Sequence, residues 1–139
     1  MAKFIFDSFA LTALVEDEPG RTRVSEIIED ARSGVSQIAM SVVNLGESLY
    51  TARRRRQEAG LVYVLNLFAG LPIELVNADL SLTISAARIK AVIPIAFGDC
   101  FAAALAIERS ATLVTGDPEF ERLSNAVTIE WLPQLRRRR

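Results

Sequence analysis

Short apolar runs alternate with helix-spaced apolar stripes along the whole chain. Phe4-Ile5-Phe6 is a β-rich run that stops at Asp7 and reads as a buried strand. Ser8 can cap a short helix through about Val15, and Glu16-Asp17-Glu18-Pro19-Gly20 follows as a loop with breakers. Val24, Ile27, Ile28 and Ala31 recur at helical spacing with charges between them, until Gly34 stops that helix. Val35 to Ala39 reads as a second strand. Ser41 opens a longer helix carrying Val42, Val43, Leu45, Leu49 and Tyr50, and Gly60 marks its end or a break. Leu61 to Leu71 is strongly apolar and helical, with Pro72 ending it; Leu65, Phe68 and Ala69 could face a core or a partner subunit.

The second half repeats the pattern. Ile73 to Val76 is a short strand, and Asp79 can cap a helix running to about Val92. Pro94 and Gly98 frame a loop, after which Asp99 opens the helix Cys100 to Arg109. Its small residues, Ala102, Ala103, Ala104 and Ala106, allow close approach to a neighbour. Ala111 to Thr115 is a further buried strand, ending at Gly116-Asp117-Pro118. Glu119 to Ser124 makes a helical turn or two, and Val127 to Leu132 a last strand. Strands alternating with helices define an α/β fold with a central, mostly parallel sheet flanked by helices. Residues 1–135 are expected to form one domain, with a basic tail at 136–139.

Composition narrows the chemistry. The chain has 139 residues, half of them hydrophobic, and needs no disulfide to hold a core; its one cysteine, Cys100, could form none internally. It has no histidine, which removes Ser-His-Asp and Cys-His catalysis and every metal site that needs imidazole. A metal here must sit on oxygen ligands, which favours hard ions such as Mg²⁺ or Mn²⁺. Net charge is -1, so bulk charge makes no case for nucleic acid. Charge is unevenly spread, however: fourteen of the 16 basic residues are arginine, and eight of those lie in the runs Arg53–Arg56 and Arg136–Arg139. A charge close to the N-terminus leaves no signal core, and no stretch reaches the roughly 18 apolar residues of a spanning helix. The expectation is a soluble, cytoplasmic protein.

Two strands run straight toward an aspartate, Phe6-Asp7 and Val114-Thr115-Gly116-Asp117. Such positions lie at the carboxyl ends of strands, where α/β proteins bind ligands. Asp99 stands at an expected helix N-terminus. Glu47 interrupts an apolar helical stretch, and Asn44, three residues earlier, shares its face. Buried carboxylates placed together repel one another, and a divalent cation relieves that repulsion while activating water against a phosphodiester. The Thr115 hydroxyl, and Ser8 beside Asp7, could hold a water or a phosphate oxygen. Each acid has a plainer reading as well: Asp99 and Asp7 as caps, Asp117 as a turn residue before Pro118, Glu47 as an exposed helix residue.

The order of these segments resembles the PIN-domain family, most of all the VapC-type toxins of toxin–antitoxin pairs. The matching stretches are Phe4-Ile5-Phe6-Asp7-Ser8, Leu11 to Val15 with Glu18-Pro19-Gly20, Ser41 to Glu47, Gly98-Asp99-Cys100 before the Ala-rich helix, and Ala111 to Phe120. The resemblance implies a PIN-like three-layer sandwich and Mg²⁺- or Mn²⁺-dependent cleavage of RNA, with one or two ions. The family's acidic positions fall on Asp7, Glu47, Asp99 and Asp117. Asp7 and Asp99 are expected to contact metal directly, while Glu47 and Asp117 ligate directly, through water, or at a second ion. Its hydroxyl position falls on Thr115, and Glu119 stands where relatives often carry another acid. A small antitoxin and a homodimer are the implied partners, with no membrane. Phe9, Gly98, Cys100 and Pro118 depart from the usual pattern, and could alter metal geometry or substrate preference. Two other readings stand beside this one: a non-catalytic protein-interaction module on the same fold, and a phospho-accepting receiver domain, which needs a lysine that neither Lys3 nor Lys90 supplies well. The arginine runs read as contacts to RNA phosphates, as a solvated surface, or as contacts to an antitoxin. Aromatic residues for base stacking are sparse outside expected core positions.

Overall fold

The structure, a computed structural model, describes residues 1–134; the Arg136–Arg139 run, expected to form a tail, lies outside the described residues. In chain order the elements are β1 (Ala2–Phe6), α1 (Ser8–Val15), α2 (Arg21–Arg32), β2 (Ser36–Ser41), α3 (Val42–Ala69) and β3 (Ile73–Val76). Then come α4 (Leu80–Val92), α5 (Phe97–Arg109), β4 (Thr112–Thr115), a 3₁₀ helix (Pro118–Leu123) and β5 (Ile129–Trp131). The strands form one sheet in the order β3-β2-β1-β4-β5, and every neighbouring pair is parallel.

Strand alternation divides the core into two layers. Ile5 and Leu113 point to one face, where they pack with Leu82, Phe101 and Leu105 of α4 and α5. Phe6, Met40 and Val114 point to the other face, against Leu11, Ile27 and Leu45 of α1, α2 and α3. The alanines of α5 are fully buried, which lets this helix lie close on the sheet. The result is the expected three layers. No single helix among the described residues is long and apolar enough to cross a membrane.

Several boundaries differ from expectation, each for a local reason. The cap of α1 is Asp7, not Ser8: Asp7 stays extended after the strand, and its Oδ1 accepts the Ala10 amide at 2.9 Å. Helix α5 starts at Phe97, and its cap position, Ala96, offers no side-chain acceptor, so Asp99 lies inside the first turn and does not open the helix. Gly98 is absorbed in that turn without breaking it. The break in α3 falls at Arg56 and Gln57, not at Gly60, with Gln57 at φ 60°. Within the distal half of α3, Val64 and Phe68 pack toward the core, whereas Leu65 and Ala69 face outward. Ser41 and Asp79 cap α3 and α4 as expected.

Candidate active site

From β1 the chain builds the sheet outward in both directions, to β2 on one side and to β4 on the other. Such a reversal leaves a crevice at the carboxyl ends of the strands. Asp7 follows the last residue of β1, and Thr115 ends β4 with Asp117 two residues on. Helix α3 springs from the end of β2 and carries Glu47 in its second turn, while the first turn of α5 supplies Asp99. The fold thus brings all four expected acids to one rim. Asp99 lies within electrostatic reach of Glu47, Asp117 and Glu119, and Asp7 within reach of Asp99 and Asp117.

Most of these side chains are held by neighbours. The Thr115 hydroxyl donates to Asp7 Oδ2 and accepts the Asp117 amide at 3.0 Å, so both residues that follow the sheet are tied through one oxygen. That hydroxyl is engaged in fixing carboxylates and is less free to hold water than the sequence alone implied. Asp117 Oδ1 accepts the Glu119 amide at 2.9 Å and caps the 3₁₀ helix. Asn44 Nδ2 donates to Glu47 Oε1 at 2.9 Å and to the Gly98 carbonyl at 3.0 Å, which ties α3 to the start of α5. Capping and candidate ligation therefore coincide on Asp7 and Asp117; the plainer reading of each acid is not an alternative to the chemical one.

Two departures from the family pattern acquire a physical reason. A Cβ on Gly98 would stand 2.6 Å from Glu47 Oε2, so the glycine makes room for that carboxylate. A Cβ on Gly116 would run into the Phe9 ring, so the larger Phe9 is matched by the absence of a side chain opposite. Cys100, beside Asp99, points into the core and not into the crevice.

Burial sets the electrostatics. Asp7 is 1% exposed, and its pKa is pushed up to about 7, first by burial. The Thr115 and Ala10 hydrogen bonds act downward, and Asp99 and Asp117 add repulsion. The Asp99 pKa is likewise pushed up to about 7 by burial, then by Asp117, Glu47 and Glu119. Two carboxyl groups with raised pKa values thus share one crevice, where a countercharge or a proton would relieve the repulsion.

The donor set fits a hard divalent ion in kind. It is all oxygen, it is repulsive when ionised, and Asn44 Oδ1 is a buried acceptor with no hydrogen-bond partner. As the side chains stand, no group of three Asp, Glu or Cys among the described residues is arranged to hold a metal ion.

A cleft of about 270 Å³ opens beside these acids and is lined by Asp7, Glu47, Asp117, Glu18, Tyr50 and Arg55, among others. Arg55 belongs to the run that the sequence offers for RNA phosphates, whereas Tyr50 carries no site reading there. The signal was present: Tyr50, Thr51 and Arg55 follow Glu47 by three, four and eight residues, which keeps them on one helical face. Of the Arg53–Arg56 run, only Arg55 lines the cleft.

Residues 4–126 match the sequence model of the PIN domain, and the chain belongs to the PIN-domain family. Its fold is that of several solved toxin–antitoxin proteins. The VapBC2 structure from Rickettsia felis, bound to a DNA fragment from its promoter, aligns with TM-score 0.74 and 20% identity, covering 94% of this chain and 99% of that one. DNA-bound VapBC from Salmonella typhimurium gives TM-score 0.74 at 23% identity over 94% and 98% of the two chains. VapC20 from Mycobacterium tuberculosis, described as a toxin that cleaves the sarcin–ricin loop, gives 0.75 at 16% identity over 94% and 99%. No curated protein sequence matches the chain.

Proposed function

We propose that residues 1–135 form a Mg²⁺- or Mn²⁺-dependent endoribonuclease domain, the toxin of a VapBC-type pair. The observation that carries this reading is the crevice itself. Asp7 and Asp99 are buried with pKa values near 7, beside Glu47, Asp117 and Glu119, with no histidine in the chain. Asp7 and Asp99 would hold one ion, with Glu47 and Asp117 contributing directly, through water, or at a second ion. When bound, the ion supplies a Lewis acid toward a phosphodiester and acidifies water. The remaining work belongs to the chain. Thr115 fixes the Asp7 carboxylate, Asn44 aims Glu47, and the close carboxylates favour the cation over an empty, doubly ionised crevice.

The receiver reading loses support. Its strand order, 2-1-3-4-5, is not the order found here. Lys90 donates to the Ile95 carbonyl at 2.6 Å, and Lys3 sits at the far end of β1. A non-catalytic interaction module remains the competing reading that experiment must separate.

Cleavage of a purified RNA pool in Mg²⁺ or Mn²⁺ tests the proposal. We expect loss of cutting on chelation and in Asp7→Asn and Asp99→Asn. Retained cutting by either folded variant overturns it. The structural likeness to VapBC complexes supports a small antitoxin as partner. Family likeness supports a homodimer as well, and a monomer at all concentrations by sedimentation contradicts that part.

A further inference from the structure

The four consecutive arginines of α3 have four different surroundings. Arg53 is taken by Glu58 and Gln57, each at 3.1 Å, and Arg56 by Glu16 at 2.8 Å. Arg54 lies over the Tyr50 ring, 5.1 Å from its centre. Arg55 reaches Glu16 only at 3.9 Å, on a carboxylate that Arg56 already occupies, and its side chain is 49% exposed. Among the described residues, Arg55 is also the single basic residue lining the cleft beside the acids.

This cleft presents a problem to any polyanion. Asp7, Glu18, Glu47 and Asp117 all line it, so a phosphate entering there meets repulsion unless a cation receives it. Arg55, on the same helical face as Glu47, holds no close hydrogen bond, only the long contact to Glu16 and the field of Glu18, so its planar fork can turn toward a phosphate, a geometry that carboxylate and phosphate share. Tyr50 lies one turn back toward Glu47, lines the same cleft and is 51% exposed. Arg54 covers its ring from one side, which stiffens it as a platform. An exposed ring beside an available guanidinium is the pairing by which proteins hold an unstacked nucleotide.

We propose that Arg55 and Tyr50 are positioning residues for the RNA strand: Arg55 holds a phosphate flanking the scissile one, and Tyr50 stacks on a base. The inference rests on the ribonuclease reading and says along which side of the crevice the strand runs. It does not extend to Arg53 and Arg56, which are paired with Glu58, Gln57 and Glu16, and it gives Arg54 only the support of the Tyr50 ring.

The test uses the full chain with Arg55→Gln, Arg55→Lys, Tyr50→Leu and Tyr50→Phe. Cleavage is followed on an RNA pool, and binding on a fluorescein-labelled unstructured RNA oligonucleotide in the Asp99→Asn background. Arg55→Gln should weaken binding about 10-fold and flatten the salt dependence by about one phosphate contact, while Arg55→Lys keeps the salt slope. Tyr50→Leu should weaken binding about 10-fold without changing the salt slope, and Tyr50→Phe should bind as the parent does. In cleavage both losses fall mainly on KM. Wild-type protein that cuts no RNA overturns the ribonuclease reading and this inference with it. Wild-type protein that cuts RNA, with Arg55→Gln and Tyr50→Leu unchanged, overturns this inference alone. A lowered Tm with an unchanged salt slope in Arg55→Gln overturns it too, and assigns Arg55 to bracing the Glu16–Glu18 loop.

Discussion

The hydroxyl of Thr115 donates to the buried carboxylate of Asp7 across 108 residues of sequence. The bond joins the ends of β1 and β4, the two strands that flank the switch point. It also opposes the burial that pushes the Asp7 pKa up. Thr115→Val keeps the shape and removes the donor. We expect a loss of about 1–3 kcal/mol in stability at pH 8, because a buried carboxylate loses a partner. The Asp7 pKa should rise further, so the pH at which activity switches on moves to the alkaline side. Thr115→Ser should restore both. Chemical denaturation and a pH–rate profile measure these outcomes; a Val variant with an unshifted profile contradicts the role given to the hydroxyl.

Asp7 and Asp99 make the metal-free fold prefer acid. Both pKa values are raised to about 7 in the folded chain. An acid raised on folding binds its proton more tightly in the native state, so its stabilising effect is complete below the ordinary carboxylate pKa. It is lost as pH rises through 7. In chelator, Tm should fall by at least about 5 °C between pH 5 and pH 8. Asp99→Asn should flatten that fall. Mn²⁺ at millimolar level should raise Tm at pH 8 and have little effect at pH 5, where protons compete for the same oxygens. Thermal melts across this grid check the prediction, and an equal Mn²⁺ effect at both pH values contradicts it.

Gly98 tests the position of Glu47. A Cβ at Gly98 would stand 2.6 Å from Glu47 Oε2, which is the far end of a flexible side chain and can move away. Gly98→Ala should therefore leave Tm within about 2 °C of the parent, since no backbone must shift. Cleavage should nevertheless fall by about 10-fold or more, because a small misplacement of a site carboxylate is costly to rate. Full activity in a folded Gly98→Ala protein removes Glu47 from the machinery.

Gly116 presents the stiffer case. Its missing side chain is the space that the Phe9 ring fills. Gly116→Ala should lower stability by about 1–3 kcal/mol through overpacking. Phe9→Leu, which shortens the intruding ring, should recover much of that loss in the double variant. A thermodynamic cycle from the four melts measures the coupling, and additive effects would dismiss the contact.

Element order and type were legible from the apolar pattern, because each strand is a short run bounded by a turn residue and each helix has its stripe. That Asp7 and Asp117 lie on one rim was legible from strand ends, and that Glu47 and Asp99 come near them was implied by family likeness. The depth at which Asp7 and Asp99 are buried was not legible. It follows from helix α5 closing over the sheet on its alanines, which no local window contains. Ser8 and Asp7 are both good caps in sequence, and only the extended backbone at Asp7 decides between them. Tyr50 was placed on an apolar stripe, while the fold leaves half of it in the open cleft.

The break in α3 is the place where a local rule pointed to the wrong residue. Gly60 was the expected breaker, yet it is buried in helix, and the chain turns at Gln57, in a left-handed φ that suits glycine. The two residues have exchanged roles. Gly60 is glycine because the turn brings it against the preceding half-helix, where a Cβ would stand 2.5 Å from the Ala52 carbonyl oxygen and 2.8 Å from Arg56 Cβ. Backbone lies on that side, so neither neighbour can give way cheaply. Gly60→Ala should therefore cost about 2–3 kcal/mol, despite the better helix propensity of alanine. Gln57→Gly should raise stability by about 1 kcal/mol by relieving backbone strain, less the entropy that glycine adds to the unfolded chain. Urea titrations of the two variants decide the matter, since a helix that ran straight through Gln57 and broke at Gly60 would reverse both signs.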